Sequence, residues 1–335
     1  MRDLNILRYV SGSLWAITAD KWAELLPVLV RHVQGERLSA ADLAARLGDR
    51  TESGSLSRPS HTAVIPIRGV IAHRMNAMEE SSGGTSTEGI GAMLRQVAAD
   101  ESISTIIYDI DSPGGTVPGV QELAAQMFAL RGVKTQIAQV NSLAASAAYW
   151  LAAQCDEIVS LPSGSAGSIG VYAVHQDVSE ALANAGVKMT LVKAGKHKTE
   201  GNPFEPLSEE ALATLQTRVD DAYTQFVRDV ARGRGVSAAE VRSGFGEGRV
   251  LPAKEAKAAG LIDRIGTLDE TLARVTGRPR SGMRAMTTEE GVEIGRAISE
   301  GLAAAESVDV SPVVTEAVPS ADDTLDEADL ERRWR

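Results

Sequence analysis

From Ala63 onward, short apolar runs alternate with longer stretches in which apolar residues recur every three or four positions. The short runs, which predict strands, lie at residues 64–71, 103–110 and 135–140 and near Glu157 and Met189. The longer stretches, which predict helices, lie at residues 89–99, 120–130, 147–154 and 208–232. Strands that alternate with helices in this way predict an α/β fold with a mostly parallel sheet covered by helices.

The two ends of the chain lack this alternation. Residues 1–60 predict a small helical extension and a linker, with Thr18 as the cap of a helix that includes Trp22 and with a second helix over residues 39–47. Residues 75–89 are polar and rich in Gly and Ser, which predicts a mobile loop near the substrate. We expect a central domain over residues 61–275 and a flexible acidic tail over residues 276–335, with one short helix at 288–305.

Composition narrows the classes of function. A formal net charge of -11 over 335 residues argues against binding to nucleic acid or to an anionic membrane surface. Cys155 is the only cysteine, so the sequence allows no intrachain disulfide and no thiolate metal site. No apolar run is long enough for a membrane span, and the first residues do not resemble a signal peptide, so we expect a cytoplasmic protein.

Ser146 is the candidate for chemistry, because it lies between a predicted strand and an Ala-rich predicted helix. Backbone N–H groups at a helix start have no partner within the helix and stabilise a developing oxyanion. Taken alone, the same pattern is also that of an ordinary buried serine.

Three other motifs accompany this serine. The chain carries S-P-G-G at residues 112–115, A-A-S-A-A-Y at 144–149, G-S-I-G-V at 167–171 and G-K-H-K at 195–198. In this order and spacing they closely resemble the signal peptide peptidase A (SppA) family of serine peptidases, over about residues 63–275. The resemblance implies a Clp-protease/crotonase-like superhelix of β-β-α units and a serine endopeptidase that uses a Ser-Lys dyad and no cofactor.

The resemblance also implies a role for particular residues. Ser146 matches the nucleophile and Lys198 the general base, which works only when its ammonium group has lost its proton. The implied oxyanion donors are the backbone N–H groups of Ala147 and of Gly115 or, less well matched, Gly114. An edge for extended peptide is expected from Gly167, Ser168, Ile169, Gly170 and Val171.

Alternatives remain open for the base and for metal binding. His175 with Asp177 offers a Ser-His-Asp triad, although the two residues are too close in sequence for Asp177 to orient the imidazole easily. His32, His61, His73 and His197 show no metal-ligand spacing, so we expect no metal.

Within the resembled family, the details favour the phage prohead protease branch. These details are a helical N-terminal extension that contains residues 15–17, the segment 195–204 and an acidic, possibly scaffold-related tail without a membrane anchor. The expected substrates are capsid, portal or scaffold proteins inside the assembling prohead, and the expected assembly is a homo-oligomeric ring whose active sites are shared between protomers. The alternatives are a soluble bacterial SppA-like peptidase that degrades signal peptides or other fragments, a crotonase-like acyl-CoA enzyme, and an inactive scaffold.

Overall fold

A computed structural model of the chain describes residues 13–23, 61–75 and 84–277. The strands in these ranges are β1 (Trp15–Ile17), β2 (Thr62–Ala72), β3 (Thr85–Ser86), β4 (Thr105–Thr116), β5 (Thr135–Ala145), β6 (Glu157–Ser160), β7 (Ser165–Gly167), β8 (Val250–Pro252) and β9 (Arg264–Ile265). The helices are α1 (Thr87–Ala99), α2 (Val120–Ala129), α3 (Ala147–Ala152), α4 (Ser179–Asn184), α5 (Glu209–Arg234), α6 (Ala238–Gly244), α7 (Ala253–Ala258) and α8 (Leu268–Thr276).

The strands form one sheet whose central order is β3-β2-β4-β5-β6-β9, with all neighbours in this row parallel. β1 adds to β4 in the antiparallel direction, and β7 pairs with both β5 and β8. Parallel neighbours are usually connected by right-handed crossovers through helices. For this reason, predicted strands and predicted helices alternate along the sequence. The predicted α/β class with a mostly parallel sheet is confirmed.

Breaks in register divide the long strands into two halves. The β2–β4 ladder shifts between Arg68 and Val70, and the β4–β5 ladder shifts between Ile110 and Ser112. Beyond these shifts, the second half of β4 pairs with β1 and the second half of β5 pairs with β7. Each long strand with its following helix is therefore a β-β-α unit, as the predicted Clp-protease/crotonase-like fold class requires.

Both faces of the sheet are buried. Successive residues of β4 point to opposite faces, and both sets are covered. Ile106, Tyr108 and Ile110 belong to the large core that also contains residues of α1, α2 and α3. Ile107 and Ile137 form a second cluster under α8. Burial on both sides explains why the strand sequences are apolar runs and do not alternate with polar residues.

The long helix α5 packs only its C-terminal half on this core. It begins after Ser208, whose side chain accepts a hydrogen bond from Ala211 N–H, and it ends at Gly235 in the left-handed conformation. Phe226, in the C-terminal half, stacks on Trp150 of α3, with ring centroids 4.4 Å apart. Leu212 in the first turns is 54% exposed. The predicted helix is confirmed, but part of its apolar stripe is uncovered.

Two predicted elements are wrong. No strand forms at Met189, because β9 pairs with β6 at the next position in the sheet. Residues 15–17 form strand β1 and do not belong to a helical extension, since Gly114–Thr116 offers them a partner. The helix predicted after Thr18 does begin at Ala19, whereas the rest of that helix, the helix at 39–47, most of the 75–89 loop and the tail lie outside the described residues.

The contact between α5 and α3 depends on Gly233. A Cβ atom at this position would lie 1.9 Å from the carbonyl oxygen of Ala153, so the two backbones meet without room for a side chain. We expect Gly233→Ala to lower the free energy of unfolding by about 1–3 kcal/mol through this overlap. Gly244→Ala is the control, because a Cβ there meets no atom within 4 Å. Equal unfolding midpoints in urea for the two variants would contradict this account of the contact.

Candidate active site

Ser146 occupies a strained turn between β5 and α3. Its φ of 56° and ψ of -119° lie in a region that residues with a side chain rarely adopt. Ser146 N–H donates to the Gly167 carbonyl at 2.8 Å, and the Ser146 carbonyl accepts from Trp150 N–H at 2.9 Å. Such a conformation costs about 1–3 kcal/mol and persists only where surrounding contacts impose it. The residue is only 1% exposed.

The glycine turn of β4 lies against this serine. A Cβ atom on Gly114, whose φ is 98°, would lie 3.0 Å from Ser146 Cβ, and one on Gly115 would lie 1.8 Å from the Ile71 carbonyl oxygen. The turn is held by Ser112, whose hydroxyl donates to the Gly69 carbonyl and accepts from Gly114 N–H. Only residues without a side chain fit here, so backbone atoms come directly beside Ser146.

The predicted oxyanion donors lie around this point. Ala147 is the first residue of α3, where an N–H group has no partner within the helix. Gly114 adjoins Ser146, and Gly115 is one residue further along β4 in the ladder with β1. Ala147 thus follows Ser146 directly and Gly114 lies beside it, but Gly114 N–H already donates to Ser112 Oγ, and the role of these N–H groups stays a prediction.

Part of the predicted peptide-binding segment, residues 167–171, contacts Ser146. β7 ends at Gly167, and Ser168 follows with a φ of 55°, a second left-handed residue with a side chain. Ser168 N–H donates to the Arg249 carbonyl at 2.7 Å, which fixes this turn. Ser146 Oγ faces the Gly170 carbonyl oxygen at 3.4 Å. Gly167 and Gly170 thus reach Ser146, while Ile169 is buried in the core.

Lys198 is not brought to Ser146 within the chain. It lies exposed in a turn, where its backbone N–H donates to the Gly195 carbonyl at 3.2 Å. Its ammonium group forms no hydrogen bond or ion pair with any residue that the structure describes. The neighbouring Lys196 does have a partner, Glu210 of α5, at 2.6 Å.

The alternative triad is not assembled either. Asp177 accepts hydrogen bonds from Ser179, which lower the pKa of its carboxyl group from the usual value. His175 Nε2 is buried without a hydrogen-bond partner among the described residues. Asp177 thus acts on the start of α4 and does not orient the imidazole.

One side-chain cluster could not be found by spacing along the chain. Ligand atoms of His197, Glu200 and Glu210 lie within 4.8 Å of one another, because the start of α5 folds against the turn that carries His197. Lys196 already neutralises Glu210 in this exposed group. The prediction that the protein needs no metal stays a prediction.

The network behind Ser146 was also absent from the sequence prediction. Trp150 Nε1 donates to Asp229 Oδ2 of α5 at 2.9 Å, and Arg232 approaches the same carboxylate at 3.2 Å. Gln154 Nε2 donates to the carbonyls of Trp150 and Asp229. These buried bonds hold α3, and with it the turn at Ser146, against the long helix.

The pattern of the family described as Peptidase family S49 matches residues 129–278. The chain is 35% identical to the head-tail preconnector protein GP5 of Enterobacteria phage P21 and 33% identical to the capsid assembly protease C of Escherichia phage lambda. These alignments cover 67% and 70% of this chain, but only 44% and 54% of the relatives.

A putative protease of Synechocystis is 30% identical, and the alignment covers 57% of this chain and 69% of that protein. The chain belongs to peptidase family S49. It spans about half the length of the two phage relatives. Among solved structures, the chain is similar to a ClpP1 mutant of Listeria monocytogenes, with 17% identity, a TM-score of 0.39 and coverage of 62% of this chain and 94% of that one.

Among the described residues, no helix combines the length and the apolar character that crossing a bilayer requires.

The strain at Ser146 is measurable without any assay of activity. Glycine adopts a φ of 56° at little cost, whereas alanine keeps the steric conflict of the serine. We expect Ser146→Gly to unfold with a free energy about 1 kcal/mol higher than Ser146→Ala in chemical denaturation. At Ser142, an exposed position in β5, the order reverses, and glycine is expected to be about 0.5–1 kcal/mol less stable than alanine. The same order at both positions would show that Ser146 is unstrained.

Proposed function

We propose that this chain is a serine endopeptidase in which Ser146 is the nucleophile and Lys198 the general base. The observation that carries the proposal is the strained Ser146 at the start of α3, next to a turn that admits only glycine. Its membership of peptidase family S49 supports the same reaction. Strain of this kind is retained where a function requires it.

The geometry suggests how the residues divide the work. Ser146 Oγ attacks the carbonyl carbon of an extended peptide, and Lys198 accepts the hydroxyl proton. The negative charge on the carbonyl oxygen is stabilised by backbone N–H groups of Ala147 and of Gly114 or Gly115. Lys198 then returns the proton to the leaving amine. Water next attacks the carbonyl carbon of the acyl-serine, with Lys198 accepting its proton and then returning it to Ser146 Oγ as the product leaves.

We propose further that Lys198 reaches Ser146 from a neighbouring protomer. Lys198 is exposed and unpaired within its own described chain, so nothing here removes water from its ammonium group. The segment before it exposes apolar side chains, with Val192 95% and Met189 45% exposed, and Leu212 of α5 is uncovered as well. A second copy packed on these residues would bury them and desolvate the lysine, which favours its neutral form.

The proposed biological role is processing during phage head maturation. Support comes from the two phage relatives, one of which is named a capsid assembly protease. On this proposal the substrates are capsid, portal or scaffold proteins, and the reaction takes place in the host cytoplasm inside the assembling prohead. A cellular peptidase is the second candidate, because a putative signal peptide peptidase of Enterococcus faecium is 28% identical.

The other two classes account less well for the site. Acyl-CoA chemistry on a crotonase-like fold uses backbone N–H donors but needs no serine nucleophile. An inactive scaffold would gain nothing from a left-handed serine. Neither class explains why Ser146 is held at a φ of 56°.

The assignment of the dyad predicts the effect of two substitutions. Ser146→Ala and Lys198→Ala are each expected to lower kcat for peptide hydrolysis at least about a thousandfold, because the nucleophile or its base is lost. Lys193→Ala is the matched control, since Lys193 is an exposed lysine of the same segment, and it should retain activity. Hydrolysis of fluorogenic casein measures the activity of all three variants. An active Ser146→Ala protein would refute the assignment of Ser146 as the nucleophile.

The shared site predicts complementation between two inactive proteins. Ser146→Ala supplies Lys198 and Lys198→Ala supplies Ser146, so an interface between them holds one complete dyad. Random mixing after dissociation and reassembly is expected to restore about a quarter of the wild-type sites. Native mass spectrometry verifies that mixed assemblies have formed. Mixed assemblies without activity would mean that the dyad lies within one chain or that Lys198 is not the base.

A further inference from the structure

Strand β1 binds the glycine turn of β4 as a peptide ligand would. Trp15–Ile17 runs antiparallel to Gly114–Thr116, with Ala16 opposite Gly115. The ladder continues on both sides, since Thr18 N–H donates to the Pro113 carbonyl and Val117 N–H donates to the Leu14 carbonyl, each at 3.0 Å. Hydrogen-bonded pairs alternate along an antiparallel ladder, so Ala16 and Gly115 form the bonded pair between these two. Gly115 N–H, a predicted oxyanion donor, therefore faces the Ala16 carbonyl.

The other edge of β1 is paired as well. Trp15 N–H donates to the Tyr172 carbonyl at 2.9 Å, and Tyr172 N–H donates to the Trp15 carbonyl at 3.0 Å. Tyr172 directly follows residues 167–171, the predicted peptide-binding segment. β1 thus lies between the two backbone segments that flank Ser146, with hydrogen bonds to both.

The strand also comes close to the serine itself. The Ala16 carbonyl oxygen and Ser146 Cβ lie 2.1 and 3.0 Å from the same point, the position that a Gly114 Cβ would occupy. Ser146 is 1% exposed in this arrangement. A substrate carbonyl cannot approach a buried hydroxyl while a strand of the chain lies beside it.

Apolar side chains anchor β1 in place. Trp15 and Ile17 are 4% and 3% exposed and form a cluster with Trp22, Val70 and Tyr172. The rings of Trp15 and Trp22 lie 4.7 Å apart between centroids. This cluster is separate from the main core, to which only Ala16 of the β1 residues belongs.

The walls of this groove retain unsatisfied polar atoms with β1 bound. Thr116 Oγ1 and Tyr172 Oη are buried and have no hydrogen-bond partner among the described residues. Burial raises the pKa of the Tyr172 hydroxyl to about 12, so the group is a neutral donor. The apolar side chains of β1 cannot form hydrogen bonds with these two hydroxyls, whereas a polar side chain of a substrate could.

We propose that β1 occupies the substrate-binding groove as an intramolecular ligand, and that a peptide substrate must displace it to reach Ser146. The proposal rests on the peptidase function proposed above. The groove recognises extended peptide through backbone hydrogen bonds on both edges. Because β1 competes for the groove, the apparent affinity for substrate is the intrinsic affinity multiplied by the fraction of molecules in which the groove is open.

A reversible disulfide tests this directly. Leu14 and Val117 form a hydrogen-bonded antiparallel pair, whose Cα atoms are about 5.5 Å apart in such ladders, as a disulfide requires. In Leu14→Cys/Val117→Cys, oxidation locks β1 in the groove and reduction releases it. Cys155 is buried and is not expected to interfere. The two single-cysteine variants are the matched controls, and mass spectrometry verifies the bond.

Binding is measured in the Ser146→Ala background, with a fluorescent peptide of the sequence of residues 13–18. We expect oxidation to weaken binding at least about tenfold and reduction to restore it, with no change in either single-cysteine control. In the chain that retains Ser146, hydrolysis should fall and recover in parallel. Equal peptide binding in the oxidised and reduced states would overturn the proposal.

The two proposals fail in different ways. If binding switches with the disulfide but no chain hydrolyses peptide, the peptidase function is wrong and β1 still competes for a peptide groove. If hydrolysis is normal in both redox states, the peptidase stands and the role of β1 is wrong.

A second variant avoids the disulfide. Ala16→Pro removes the N–H that Ala16 directs at β4, so β1 binds less well and KM should fall at least about threefold. Ala19→Pro is its control, because proline is tolerated at the first position of a helix. An unchanged or higher KM for Ala16→Pro, in a protein with a native circular dichroism spectrum, would count against displacement of β1.

Discussion

The site depends on the left-handed backbone of Ser146. A turn with a φ of 56° directs the chain from the end of β5 straight into α3, so the serine precedes a helix start with free N–H groups. Maintaining the turn requires a hydrogen bond to Gly167 on one side and Trp150 on the other. Trp150 is in turn held by Asp229 of α5, which extends the supporting contacts to the far side of the core. The strain is local, but the contacts that impose it come from strand β7 and from two helices, α3 and α5.

Those parts of the fold that follow from local pattern were predictable. The strands and helices around Ser146 are buried on both faces or amphipathic. Both patterns are recognisable from short stretches of sequence. The glycine turn was recognisable because Pro-Gly-Gly follows an apolar run, and the structure shows that only Gly fits beside Ser146. Ser146 itself was found by its place at a strand-to-helix junction, a property that needs no partner elsewhere in the chain.

What failed were predictions that depend on a distant partner. Residues 15–17 were expected within a helical extension, but they form a strand by pairing with Gly114–Thr116, which lies far along the chain. The apolar residues near Met189 resemble a strand, but β9, far along the chain, takes the position beside β6. His197 and Glu210 meet because α5 starts beside the turn of His197.

The double pairing of β1 has a consequence for the behaviour of the chain in solution. Two open strand edges that face each other across a groove bind extended peptides readily, because each edge presents a row of unpaired N–H and carbonyl groups. An emptied groove would therefore bind unfolded segments of other proteins through the same backbone groups. While β1 is bound, both edges are hydrogen-bonded until a competing peptide replaces it. The exchange would then limit aggregation as well as entry of peptides to Ser146.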